Sequence, residues 1–76
     1  MKLREVVARN LRRLRSEKGL SQEDLADRAG INRNYPGLLE RERYSASVDM
    51  LEKLAVALDV HPAEFFSDAG PASKSA

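Results

Sequence analysis

Apolar positions recur along this chain at helical spacing, and no stretch alternates over the length of a strand. Leu3, Val7, Leu11 and Leu14 stand four, four and three residues apart, one stripe of a helix spanning about Leu3 to Lys18. The other face of that helix carries Arg4, Arg9, Arg12, Arg13 and Lys18. A second helix is predicted from about Gln22 to Ala29 and a third from about Arg33 to Arg41. In the fourth, Val48, Leu51, Leu54, Ala55 and Leu58 recur at three, three, one and three. A short fifth helix follows at Pro62–Phe66, and no strand is predicted.

The signals at the helix ends sharpen this outline. Gly19 ends the first helix and Ser21 caps the second, with Gln22 and Glu23 in its first turn. Leu25 and Ala26 face inward, Gly30 supplies the left-handed turn, Ile31 plugs its underside and Asn32 is a good cap for the third helix. Two short helices joined by a three-residue turn are the layout of a helix-turn-helix, which sets its second helix into the DNA major groove. Ser47 caps the fourth helix, where Asp49 and Glu52 complement the dipole. Pro62 suits a first helical position, which makes His61 the cap before it. From Ser67 onward the polar tail has nothing to bury, so the domain is set at residues 1–66 and a flexible tail at 67–76.

Composition narrows the class. Seventy-six residues make one small domain, near the lower limit at which a single core suffices. The chain has no cysteine and one histidine, His61, which argues against thiolate or zinc sites and histidine-based catalysis. No catalytic triad, carboxylate pair in a credible cleft or phosphate-cradling glycine loop is evident. The longest apolar run, Leu54–Leu58, has five residues, too few to span a bilayer. The expectation is a cytoplasmic, non-enzymatic protein without cofactor, metal or membrane partner. The net charge of +1 conceals an asymmetry: residues 1–20 carry a local +5 and residues 45–76 a local −3. The basic end can meet phosphates while the other faces solvent or a protein.

The Leu11/Leu14 stripe, Lys18-Gly-Leu-Ser-Gln-Glu-Asp-Leu-Ala, Ala29-Gly-Ile, Leu39-Glu-Arg, Ser47-Val-Asp and Leu51-Glu-Lys-Leu-Ala-Val-Ala-Leu-Asp-Val together resemble the phage-repressor, or Cro-type (XRE), helix-turn-helix family. The resemblance covers about residues 3–66. It implies an all-α, compact five-helix repressor-like domain with the helix-turn-helix at helices 2 and 3. It further implies a homodimer on a near-palindromic operator in double-stranded DNA, control of transcription, and no catalysis.

By position, the resemblance gives Arg33 and Asn34 the base-reading places, and their chemistry suits guanine and adenine. Gly37 and Leu38 fall at the next groove-facing turn. Gln22 matches a phosphate anchor, and Arg41, Arg43, Tyr44 and Ser45 match backbone contacts, with Arg12 on the first helix as a further candidate. Arg15 and Glu40 match a structural ion pair. Val60, Phe65 and Phe66 are the dimer candidates; adjacent residues point about 100° apart, so one phenylalanine serves the core and the other the partner. Tyr35 is expected to pack at the edge of helix 3.

Three residues depart from the family pattern. If Asn32 is the cap, Pro36 deletes the first intrahelical hydrogen bond; alternatively the helix starts at Pro36 and leaves Arg33 and Asn34 in an extended lead-in. Gly37 adds a helix cost of roughly 1 kcal/mol relative to alanine. Glu42 replaces the glycine that ends helix 3, so the left-handed cap is strained or absent. Two functions stand: a sequence-specific transcriptional regulator, and a helix-turn-helix adaptor, antitoxin-like or coregulator, with weak or lost DNA binding. Pro36, Gly37, Leu38 and Glu42 favour the second, and the basic first helix with Arg33 and Asn34 favours the first. A phage-type repressor, a restriction–modification controller and an antitoxin share all of these features.

Overall fold

The computed structural model describes residues 2–67. Four α-helices run in chain order, α1 (Leu3–Glu17), α2 (Gln22–Ala29), α3 (Tyr35–Glu40) and α4 (Val48–Leu58), and a 3₁₀ turn at Pro62–Phe66 closes the chain. The segment expected as a fifth α-helix is therefore a 3₁₀ turn. Its five residues begin with proline and are too few to build an i→i+4 ladder. Among the described residues there is no strand, and no helix is long and apolar enough to cross a membrane.

α1 packs against α3 and the 3₁₀ turn, while α2 is wedged between α3 and α4. Leu11, Leu14, Leu25, Leu39, Leu54, Leu58 and Phe65 meet at the centre. A buried residue that the sequence reading left aside ties the ends together. Asn10 donates through Nδ2 to the carbonyls of Phe65 and Ser67, at 2.9 and 2.8 Å. Its Oδ1 accepts from Arg13. The contact reaches one residue past the boundary drawn at residue 66; residues 68–76 of the expected tail lie outside those described.

Three members of the predicted apolar stripes, Leu3, Val7 and Val48, are not in the core, and two of them are well exposed. Leu3 is 63% exposed and Val48 81% exposed. Both stand in the first turn of their helices, where the angular position is right but no neighbour reaches. They border one apolar groove of about 270 Å³ with Val7, Leu51 and Phe66. In α1 the buried face is filled instead by Val6, Ala8 and Asn10, beside Leu11 and Leu14.

All four helices end alike. Each donates from one N–H to the carbonyl five residues back and from the preceding N–H to the carbonyl three back: Leu20 to Arg15, Ile31 to Ala26, Arg43 to Leu38 and Val60 to Ala55 carry the longer bonds, at 2.9–3.1 Å. This is the Schellman closure, which requires a left-handed residue. Gly19 and Gly30 fill that place in α1 and α2, whereas Glu42 (φ 62°) and Asp59 (φ 57°) fill it in α3 and α4. The cap of α3 is thus present, and strained.

Candidate nucleic-acid interface

The second helix is set by its own ends. Ser21 Oγ accepts from Asp24 N at 3.0 Å, and Asp24 Oδ2 accepts from Ser21 N at 3.1 Å, a reciprocal capping box. The Ser21 backbone N–H first, and the Ser21 hydroxyl after it, hold the Asp24 carboxyl below its ordinary pKa. At the other end Gly30 turns the chain and Ile31 is half-buried beneath it.

The start of the third helix differs from both forms expected. Asn32 Oδ1 accepts from Asn34 N at 2.8 Å, and the Asn32 carbonyl accepts from Tyr35 N at 3.0 Å. Pro36 has no N–H to offer that carbonyl, so Tyr35 takes it and α3 begins there, with Pro36 in a first-turn position where no donor is missed. Arg33 and Asn34 consequently form a turn before the helix, with Asn34 already helical in backbone (φ −85°, ψ −13°). They are neither inside the helix nor in an extended lead-in.

Both residues are exposed at the edge of a shallow polar groove of about 380 Å³, lined also by Gln22, Glu23, Gly37, Leu38 and Arg41. Arg33 Nη2 lies 2.7 Å from Glu23 Oε2, and this bond raises the guanidinium pKa above the ordinary arginine value. Gln22 lies across α3 and donates through Nε2 to Glu40 Oε1 at 3.1 Å. Gly37 is what allows this: a Cβ there would stand 2.9 Å from Gln22 Oε1. Gly37 is therefore buried beneath Gln22 at the floor of the groove, and Pro36 is buried beside it. Leu38 is half-buried near Tyr44, whose ring meets Tyr35 edge to face with centroids 5.4 Å apart.

Glu40 is the buried hub behind the groove. Arg15 Nε and Nη2 grip its two carboxylate oxygens at 2.7 and 3.0 Å, while Nη1 reaches the Leu20 carbonyl at 2.8 Å. Arg12 is spent here as well, donating to the Glu40 backbone carbonyl at 2.9 Å. Arg13 pairs with Glu17 and Glu64, at 3.3 and 3.5 Å. Arg12, Arg13 and Arg15 of α1 thus bond within the chain, while Arg12 keeps 57% of its side chain exposed. Arg41 and Arg43 are exposed, and among the described residues neither makes an ion pair. Ser45 accepts from Arg4 Nη2 at 2.6 Å.

The dimer candidates do not form one patch. Phe65 is fully enclosed in this chain's own core and so has no surface for a partner. Phe66 is half-exposed on the apolar groove with Leu3 and Val48, whereas Val60 lines a separate hollow with Val56 and Pro62. Sequence reasoning also missed Glu23 as the partner of Arg33. The sequence reading placed Glu23 only as a first-turn residue of the second helix.

This geometry, two short helices around a left-handed glycine with polar residues at one exposed edge, defines a helix-turn-helix protein. The helix-turn-helix family model HTH_3 matches residues 11–65, and the chain belongs to that family. A hypothetical transcription factor of Neisseria meningitidis serogroup B is 45% identical over 58 residues, which are 76% of this chain and 55% of that protein. The HTH-type transcriptional regulator y4dJ of Sinorhizobium fredii is 44% identical over 64 residues, covering 84% of this chain and 83% of the relative. The crystal structure of the restriction–modification controller protein C.AhdI from Aeromonas hydrophila matches with a TM-score of 0.80 at 44% identity, over 83% of this chain and 96% of that one.

Proposed function

We propose that this protein is a transcriptional regulator that reads double-stranded DNA in a sequence-specific manner as a homodimer on a near-palindromic operator. The observation that carries this reading is the placement of Arg33 and Asn34 on an exposed turn at the mouth of the groove between α2 and α3. Arginine can pair with guanine O6 and N7, and asparagine with adenine N6 and N7, each such pair discriminating by about 1–3 kcal/mol. Arg41 and Arg43, exposed at the end of α3, suit phosphates, whose contacts supply sequence-independent and salt-sensitive affinity. The family membership and the regulators among its relatives support the same reading.

The adaptor alternative drew on Pro36, Gly37, Leu38 and Glu42 as losses from the reading surface. Pro36 is buried and stands outside the groove lining, so it takes nothing from the exposed edge. For the dimer, the apolar groove edged by Leu3, Val48 and Phe66 offers the kind of patch that a two-fold interface uses. Half-sites would then lie about one helical turn apart, roughly 34 Å.

Site selection from random duplex DNA tests this, repeated with Arg33→Ala and Asn34→Ala at two salt concentrations. The expected result is an inverted repeat in which each variant relaxes one base in both half-sites. Recovery of no motif, or of one that neither variant alters, overturns the reading and leaves the adaptor.

A further inference from the structure

Glu23 and Arg33 face each other across the groove from different helical units, α2 and the turn before α3. Their side chains are 65% and 68% exposed, yet they meet at 2.7 Å. The neighbouring Gln22 is drawn the other way, to Glu40, so Glu23 is the acidic side chain left on the groove wall beside Arg33 and Arg41. A carboxylate at that place opposes a phosphate backbone. It also changes what Arg33 exchanges on binding.

An unpaired arginine gains from any phosphate it meets, whatever the sequence. An arginine already bonded to a carboxylate gains little by trading it for one phosphate oxygen, since the two acceptors are alike. A phosphate can also accept two bonds from the planar fork, but its charge is repelled by the carboxylate beside Arg33. Guanine O6 and N7 accept two parallel bonds and carry no net charge. Specificity is a difference of affinities, and lowering the affinity for wrong partners raises it as surely as improving the right one.

We propose that Glu23 is a specificity-determining residue: its carboxylate withholds Arg33 from phosphates and yields it to a base that accepts two hydrogen bonds. The inference rests on the DNA-reading function proposed above. Glu23 acts through Arg33 and is a positioning residue, with no base contact of its own.

The test uses the full chain as wild type, Glu23→Gln, Arg33→Ala and the double variant. Each is titrated by fluorescence polarisation against the duplex recovered by site selection, its single-base variants, and a shuffled duplex of equal length. Glutamine keeps the volume and removes the charge. Glu23→Gln is expected to bind the shuffled duplex about threefold or more tightly, since one repulsive charge near the phosphates is gone. Affinity for the selected duplex rises less or falls, so discrimination drops. That drop maps to the base pair relaxed by Arg33→Ala, and the double variant discriminates there no less than Arg33→Ala alone.

Parallel weakening on both duplexes would mark a merely structural role and overturn the proposal, as would an unchanged ratio. If Arg33→Ala relaxes a base that Glu23→Gln leaves intact, this inference alone fails. If the wild type selects no motif, or Arg33→Ala relaxes none of it, the DNA-reading assignment fails and takes this inference with it.

Discussion

Gln22 lies in the space that a side chain at position 37 would need. The Gln22 Oε1 atom would stand 2.9 Å from a Cβ on Gly37, and its Nε2 is bonded to the buried Glu40 at 3.1 Å. The glycine that weakens α3 as a helix therefore fixes a residue on α2, and the two cannot be varied independently. Replacing Gly37 with alanine gains helix propensity, about 1 kcal/mol, and displaces the flexible end of Gln22. We expect Gly37→Ala to unfold within a few degrees of the wild type by scanning fluorimetry, and to lose DNA affinity to the same extent as Gln22→Ala. The double variant should be no worse than either. A Gly37→Ala protein that binds normally would show that the docked amide is irrelevant to binding.

The Arg15–Glu40 pair is held at two points and mostly shielded, with the Glu40 side chain only 3% exposed. Removal of one partner from such a pair leaves a buried charge and costs about 3 kcal/mol or more. A domain of this size has roughly 5 kcal/mol in all. Arg15→Ala is therefore expected to bring the protein close to half-unfolded on modest warming, which urea titration reads directly. Arg15→Met combined with Glu40→Met should cost less than Arg15→Ala alone, because no charge is left stranded.

Glu42 occupies the left-handed corner that closes α3, at φ 62°. A side chain in that conformation costs about 1–2 kcal/mol, and glycine escapes it. Glu42→Gly should raise the melting temperature by about 4–8 °C per kcal/mol recovered in a domain of this length. Asp59→Gly, at φ 57°, is the parallel case in α4. No rise in either variant would mean that the strain is relieved elsewhere in the turn.

The capping box at the start of α2 predicts a pH dependence. Because Ser21 lowers the Asp24 pKa in the folded chain, the carboxylate contributes stability that is complete above the unfolded value, about 3.9. It is lost as pH falls through the lower, folded value. The melting temperature should therefore drop more steeply below about pH 4 in the wild type than in Asp24→Asn, whose cap does not titrate. Equal slopes would assign the acid transition to other carboxylates.

What could be read in the sequence is what depends on atoms a few residues apart. Ser21, Gly30, Ser47 and the His61–Pro62 step announce helix ends because a cap is a bond between neighbours in the chain: Met50 N to Ser47 Oγ, Ala63 N to His61 Nδ1. The interior of the fold was legible for the same reason, since the spacing of Leu11, Leu14, Leu54 and Leu58 marks one side of each helix. A helical stripe specifies an angle around the axis, however, and says nothing of whether another element stands at that height. Leu3 and Val48 carried the right angle and found no neighbour.

The sequence by itself therefore determined a chain of helices and the turn at Gly30 through local bonds and periodicity, and offered the candidate reading residues only through its resemblance to a family. Only the tertiary structure decided where α3 begins, because Pro36 leaves the Asn32 carbonyl for Tyr35 to claim. It also decided which arginines meet a partner within the chain. Arg12 and Arg15 bond to Glu40 across 28 and 25 residues of chain, and Arg33, in the turn before α3, is held by Glu23 of α2. A charge in a sequence has no partner until folding brings one within a few ångströms, because Coulomb attraction and hydrogen bonding depend on distance in space and not along the chain.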